Sequence, residues 1–267
     1  MGVLNTTPDS FSDGGLYLDP IHAKRGVDEL LAAGADLIDI GGESTRPGAL
    51  PIPPALQIAR IEHALVYACR ERHAFVSVDT TSAEVARYAL SQGAAVINDV
   101  SCLADDALAR AVADVGGSLV LMHARGSMSQ MRGYSDAPTE TYGDVVEDVR
   151  REWLAAKARA VQQGVDPREI VFDPGLGYMK NASHSLALLR RLGEFASLEV
   201  PILVGPSRKS FIAKATGSGV TPNERLGGTI AACLAAADAG ADVLRVHDVF
   251  AVRQALALHR AIRSTHA

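Results

Sequence analysis

The sequence predicts an α/β protein built as a single (β/α)8 TIM barrel, on three observations. Eight short apolar runs alternate with stretches of helical period, and no break in composition divides them. A weak internal echo, AAGADLIDI, SQGAAVIND and DAGADVLRVHD, repeats one event: a helix stops at a glycine and a strand starts at once. The length, 267 residues, is one that α/β barrels reach as a single domain, taken here as 1–267. A doubly wound open sheet is the competing fold, but its mark after the first strand, G-x-G-x-x-G, is absent.

In chain order the strand candidates are MGVLN (1–5), DLIDIGG (36–42), FVSVDT (75–80), AVINDV (95–100), SLVLMH (118–123), IVFDP (170–174), ILVGPS (202–207) and VLRVHD (243–248). Each is a near-continuous apolar run, as expected of parallel strands buried on both faces. Between them PALQIARIEHALVYACRER, SAEVARYALSQG and YGDVVEDVRREWLAAKARAVQQG carry the helical pattern. The charge-rich helix 142–163 reads as a solvated outer face.

Apolar residues make up 48% of the chain, enough for a large core, and the net charge of -5 is spread with both signs interspersed. No basic run is present, which argues against nucleic acid or an anionic membrane as the partner. No apolar run is long enough to span a bilayer. Cys69, Cys102 and Cys233 share no metal-like or redox spacing and read as reduced thiols of a cytoplasmic protein.

The strand exits carry the chemistry. They hold Asn5, Glu43-Ser44-Thr45-Arg46, Asp79, Asn98, His123, Asp173, Ser207-Arg208-Lys209, and Arg245 with His247. In a barrel of this kind the C-terminal strand ends form the active-site face. Asp79, Asn98, Asp173 and Lys209 offer two carboxylates, an amide and a cation, which suits a flat nitrogen heterocycle, because a carboxylate accepts two parallel N–H bonds. Arg46, Arg245, His247 and Asn5 supply donors for a phosphate or pyrophosphate. The residues by themselves lead as far as a nitrogen heterocycle plus phosphate.

Together NTTPDSFSDGG, DIGGESTRPGA, SVDT, INDVS, DPGLGY, GPSRKS and RVHDV closely resemble the dihydropteroate synthases, across all eight strands. The resemblance implies condensation of a dihydropterin pyrophosphate with p-aminobenzoate, Mg²⁺ at the diphosphate, an enzyme of the class that sulfonamides target, and a homodimer. It implies that Asp79, Asn98, Asp173 and Lys209 grip the pterin, that Met122 and Tyr178 line its pocket, and that Arg245 stacks on the ring. Asn5 is then the contact to Mg²⁺ and the diphosphate, with His247 and Arg46 as further donors. Ser207 receives the p-aminobenzoate carboxylate, and Phe11, Thr45 and Pro47 enclose its ring. Asp79, Lys209, Arg46 and Arg245 are the residues assigned to catalysis. Loops one and two, rich in small residues, are expected to close over the diphosphate and complete the arylamine pocket.

The chain departs from the family pattern in three places. It starts at the first strand, without the short lead-in segment expected there. In DPGLGYMKN, Tyr178-Met179 stands where Phe-Gly is expected, which leaves the role of Lys180 open. Pro206 stands where a more flexible residue is common. Asp39 reads as a hydrogen-bonded structural acid, His123 as either a packing residue or a ligand contact, and Lys209 has a plainer alternative as a solvated lysine at a helix start. The methionines within 126–133 read as gap-fillers, and GTIAACLAAADAG as a helix that packs on a partner or on the barrel. A pterin-binding methyltransferase domain and a catalytically silent pterin-binding paralogue are the other functional readings.

Overall fold

The structure, a computed structural model, describes residues 1–7, 19–44, 49–126, 135–217 and 219–264. It is a (β/α)8 barrel. The strands are β1 (Gly2–Asn5), β2 (Ile38–Gly41), β3 (Val76–Asp79), β4 (Val96–Asp99), β5 (Ser118–Met122), β6 (Ile170–Asp173), β7 (Leu203–Val204) and β8 (Val243–Leu244). The helices among the described residues are α1 (Pro20–Ala32), α2 (Pro54–Val66), α3 (Ala83–Gln92), α4 (Asp106–Ala113), α5 (Val145–Gln162), α6 (Ala182–Arg190), α7 (Ser210–Thr216), α8 (Leu226–Asp238) and α9 (Val249–Ser264). The first six strands pair in parallel in sequence order, and β7 pairs with β8. Phe172 N donates to Pro201 O at 2.9 Å across one seam; Val3 N to Val246 O at 3.0 Å and Val246 N to Met1 O at 2.9 Å cross the other. The ring is thus closed and leaves no sheet edge to aggregate.

The last two strands are shorter than the runs 202–207 and 243–248 suggest. In the seventh run Gly205 is followed by Pro206, which has no N–H for the ladder, and by Arg208 at φ 58°. The long stretch from Pro54 also does not stay α-helical: after Val66 it widens into a π turn over Tyr67–Glu71, where Arg72 N reaches Tyr67 O. The three echo glycines behave as expected, all left-handed: Gly34 at φ 88°, Gly93 at 110° and Gly240 at 98°. A residue with a Cβ is strained there, so glycine ends the helix cheaply.

Strand alternation sorts the side chains into two cores. Ile38, Ile40, Val76, Val78, Ile97, Leu119, Leu121 and Phe172 belong to the layer shared with the helices. There Trp153 of α5 donates Nε1–H to Leu121 O at 2.8 Å, and its ring meets Phe172 edge-on at 5.1 Å. The residues between them in sequence form a second cluster inside the barrel: Val96, Val120 and Leu203 with Met1, Leu37, Val171 and Val243. Two residues further along each strand, the same inward face carries Asp39, Asn98, Met122, Asp173 and Arg245. The period of two therefore stacks a polar layer directly on an apolar floor.

Candidate active site

Arg245 is the centre of the polar layer. Its Nε donates to Asp39 Oδ2 at 2.7 Å and its Nη2 to Asp79 Oδ2 at 2.9 Å. Asp39 also accepts from Ser77 Oγ–H at 2.6 Å and from Asn98 Nδ2 at 3.3 Å. The parallel register makes this possible, because Asp39 lies opposite Ser77, and Asp79 opposite Asn98. Burial works against the charge of Arg245, but Asp39 and Asp79 outweigh it and hold the guanidinium above its ordinary pKa. Burial pushes the Asp79 carboxyl up to about 7, opposed by Arg245 and reinforced by Asp39. Asn98 Oδ1 is buried with no hydrogen-bond partner among the described residues. An orphaned buried acceptor costs about 1–3 kcal/mol, so a ligand N–H is its natural complement.

Loop six forms the next wall. Asp173 accepts from Gly175 N at 2.7 Å through Oδ1, and burial raises its pKa against the pull of Lys209. Gly175 sits at φ 65°, and a Cβ there would meet His123 O at 2.0 Å, so this turn admits only glycine. Tyr178 packs with Met122, Val100 and Ala124. Lys209 lies over the Tyr178 ring at 4.8 Å and donates to Leu176 O at 2.5 Å. Burial lowers its pKa to about 8. With its ammonium bonded to Leu176 O and resting on the Tyr178 ring, Lys209 is not simply a solvated lysine at a helix start.

Behind this wall stands a buried strut. Lys180 Nζ donates to His123 Nδ1 at 3.0 Å and to His123 O and Tyr178 O, each at 3.2 Å. His123 Nε2 donates in turn to Glu152 Oε2 at 3.0 Å, and Glu152 also pairs with Arg125. Burial and the neighbouring lysine push His123 down to about 4, so it is neutral. His123 thus joins the rim to α5, whose face is not wholly solvated. Met179 keeps a left-handed backbone, φ 47°, at the position where the family pattern has glycine. The turn survives the substitution, and Lys180 still enters the core.

The anion side is organised separately. Ser207 Oγ accepts from His247 N at 3.2 Å and lies 3.0 Å from His247 Nδ1. In the tautomer that carries the imidazole hydrogen on Nε2, the Ser207 hydroxyl gives its own hydrogen to Nδ1. Burial, then Arg208, push His247 down to about 3, so it offers a neutral N–H. Arg208 is held by Asp248, with Nη2 to Oδ1 at 2.8 Å. Asn5, half-buried, ends β1, and its Oδ1 lies 3.6 Å from the point where a Cβ on Gly41 would stand.

Of the expected residues, Asp79, Asn98 and Arg245 form one bonded cluster, Asp173, Met122, Tyr178 and Lys209 adjoin it, and Ser207 pairs with His247. Arg245, expected as an anion donor, already faces two carboxylates through Nε and Nη2, and its Nη1 has no hydrogen bond to the described residues. Asp39, read as a hydrogen-bonded structural acid and left off the site, is such an acid, and its partners include Arg245 and Asn98 of the site. The signal was the period of two: Leu37 and Asp39 share one strand face. Lys180 and His123, both left undecided by the sequence, meet in the buried strut. Phe11, Thr45, Arg46 and Pro47, with the methionines of 126–133, lie outside the described residues. Among the described residues no helix is long and apolar enough to cross a membrane.

Comparison with known proteins places this geometry. The model of the pterin binding enzyme family matches residues 1–247. The dihydropteroate synthase of Mycobacterium leprae is 46% identical over 261 residues, covering 96% of this chain and 90% of its own. That of Escherichia coli K12 is 41% identical over 249 residues, covering 93% and 86%. A Yersinia pestis dihydropteroate synthase solved in a sulfonamide drug complex superposes with a TM-score of 0.90 at 36% identity, over 98% of this chain and 93% of that one. A Xanthomonas albilineans dihydropteroate synthase with 4-aminobenzoic acid gives 0.89 at 40%, over 99% and 93%.

Proposed function

The chain belongs to the pterin binding enzyme family, in its dihydropteroate synthase branch, and we propose that its rim condenses 7,8-dihydropterin pyrophosphate with p-aminobenzoate, yielding dihydropteroate and pyrophosphate. The observation that carries the reading is the unpaired, buried Asn98 Oδ1 among the buried carboxylates of Asp79 and Asp173. That set is built for a flat ring rich in N–H groups, and poorly for a sugar or a simple acid.

In the reaction the C–O bond to the diphosphate breaks, and its electron pair leaves with pyrophosphate. Positive charge spreads over the pterin ring nitrogens. Asp79, held within the site by Arg245, stabilises that charge without a covalent intermediate. Asp173, Asn98 and Lys209 fix the ring by its polar edge, and Tyr178 and Met122 cover its apolar surface. Ser207 receives the arylamine carboxylate, and His247 and Arg245 are assigned as donors to the leaving group. The arylamine nitrogen then attacks the exocyclic carbon and gives up a proton. Positioning and preorganised charge supply the rate.

Mg²⁺, when bound, supplies charge neutralisation at the diphosphate, and Asn5 is the residue that would hold it. A single side-chain carbonyl at the exit of β1 suits an ion that keeps its waters and takes its other ligands from phosphate. Arg46, Thr45, Phe11 and Pro47 are assigned to closure over the diphosphate and the arylamine. The reading includes a homodimer acting in the cytoplasm. Supporting it are the three free thiols and the exposed small residues Gly227, Ala231 and Ala235 on α8, where a second helix can approach closely. A coupled assay of pyrophosphate release, with and without p-aminobenzoate, tests the activity. Release that depends on the arylamine and matches dihydropteroate formed is expected; none with both substrates present refutes the reading.

A further inference from the structure

Asp39 touches three side chains and is itself fully buried. Its Oδ1 accepts from Ser77 Oγ–H at 2.6 Å, and its Oδ2 from Arg245 Nε at 2.7 Å and Asn98 Nδ2 at 3.3 Å. A carboxylate only accepts, so the side of Asn98 that faces it must be the NH2 group. The amide is planar, and its oxygen is then turned the other way. That oxygen is buried and has no partner among the described residues. Without Asp39 the amide could rotate by half a turn and present a donor instead, at small cost.

We infer that Asp39 is a positioning and specificity-determining residue: by capturing the Asn98 NH2 group, it makes the pocket select heterocycles that offer an N–H at that edge. It also orients the Arg245 guanidinium between two carboxylates. This deepens the proposed function and rests on it, since the ligand class is that of the pterin pocket. Asp39 acts through Asn98 and Arg245 rather than on the reacting atoms.

The test is a donor–acceptor swap, read by calorimetric titration with 6-hydroxymethylpterin. Asn98→Asp keeps an acceptor toward the ligand but sets a carboxylate against Asp39, and pterin affinity is expected to fall at least about tenfold. Adding Asp39→Asn returns a donor to face the carboxylate introduced by Asn98→Asp, and the swapped pair is expected to bind about tenfold or more tightly than Asn98→Asp alone. An Asp39 that merely supports the fold gives the opposite: losses that add, with the double variant the weaker binder. If Asp39→Asn alone does not fold, the comparison of Asn98→Asp with the swap still decides. Failure of the parent protein to bind the pterin overturns the proposed function and this inference with it; binding by the parent without rescue overturns this inference alone.

Discussion

Two cations, Arg245 partly buried and Lys180 fully buried, serve the rim, and the protein treats them differently. Arg245 faces Asp39 and Asp79, and its charge is held firmly in place. Lys180 faces a histidine nitrogen and two carbonyl oxygens, with no carboxylate in hydrogen-bond contact among the described residues, and burial brings its pKa down to about 7. The difference separates two uses of a buried polar group. Arg245 is a fixed charge around which a ligand site is organised. Lys180 is a strut that works as a hydrogen-bond donor and is free to lose its proton.

The largest effect that sharpens this contrast is expected at Arg245. Replacing it with alanine leaves Asp39 and Asp79 buried and unpaired, at a cost of about 3–5 kcal/mol in stability. Turnover is expected to fall by more than about a hundredfold, as when a preorganised electrostatic group is lost. Urea unfolding and kcat/KM measure the two. An alanine variant as stable as the parent would falsify the charge-pairing account.

Next in size is Asp173→Asn. It exchanges one acceptor for a donor facing the pterin N–H groups, a loss of about 2–5 kcal/mol for a buried charge-assisted pair. Pterin affinity is expected to drop at least tenfold in a folded protein; an unchanged titration removes Asp173 from the pterin grip. Asp79 sets the expected pH dependence. Its pKa lies above the usual carboxylate range, near 7, so it takes up a proton as the pH falls through that value. The limiting slope of kcat/KM below it is then about tenfold per pH unit. A profile flat down to pH 5 means Asp79 stays ionised or is not needed.

A subtler effect is expected at Lys180. An unfolded lysine holds its proton up to its ordinary pKa, while the buried one releases it near 7. Between the two values the unfolded chain binds more protons, so stability rises with pH across that window. One proton contributes about 1.4 kcal/mol per pH unit. Lys180→Met is expected to remove that part of the slope and to loosen Tyr178, whose carbonyl loses its donor. Chemical denaturation at pH 7 and pH 9 compares them; identical slopes in parent and variant mean Lys180 stays charged.

Met179→Gly is the smallest change. A left-handed non-glycine residue carries about 1–2 kcal/mol of strain, and glycine relieves it while adding unfolded-state entropy of about 0.4–1 kcal/mol. A net gain of about 1 kcal/mol or less is expected from a thermal melt. A loss instead would show that the Met179 side chain, packed beside Tyr178, outweighs its backbone strain.

Much of the barrel was legible from local chemistry. Apolar runs too short for helices, helices closed by glycine, and polar residues at each strand exit are all properties of neighbouring positions in the chain. They report the fold and the face that carries the site, since backbone conformation and side-chain period are set locally. The pairing of Arg245 with Asp39 and Asp79 joins strands far apart in sequence and exists only because β8 closes onto β1. Whether Asp39 meets Asn98 depends on the register of β2, β3 and β4, which brings the two residues together across Ser77 and Asp79. Whether Lys180 is solvated or buried depends on a left-handed turn that Met179 adopts against its own preference. Sequence alone determined the alternating elements and the residue types at the rim. Tertiary structure decided which charges meet, because partners for a buried charge are chosen by position in space and not by order along the chain.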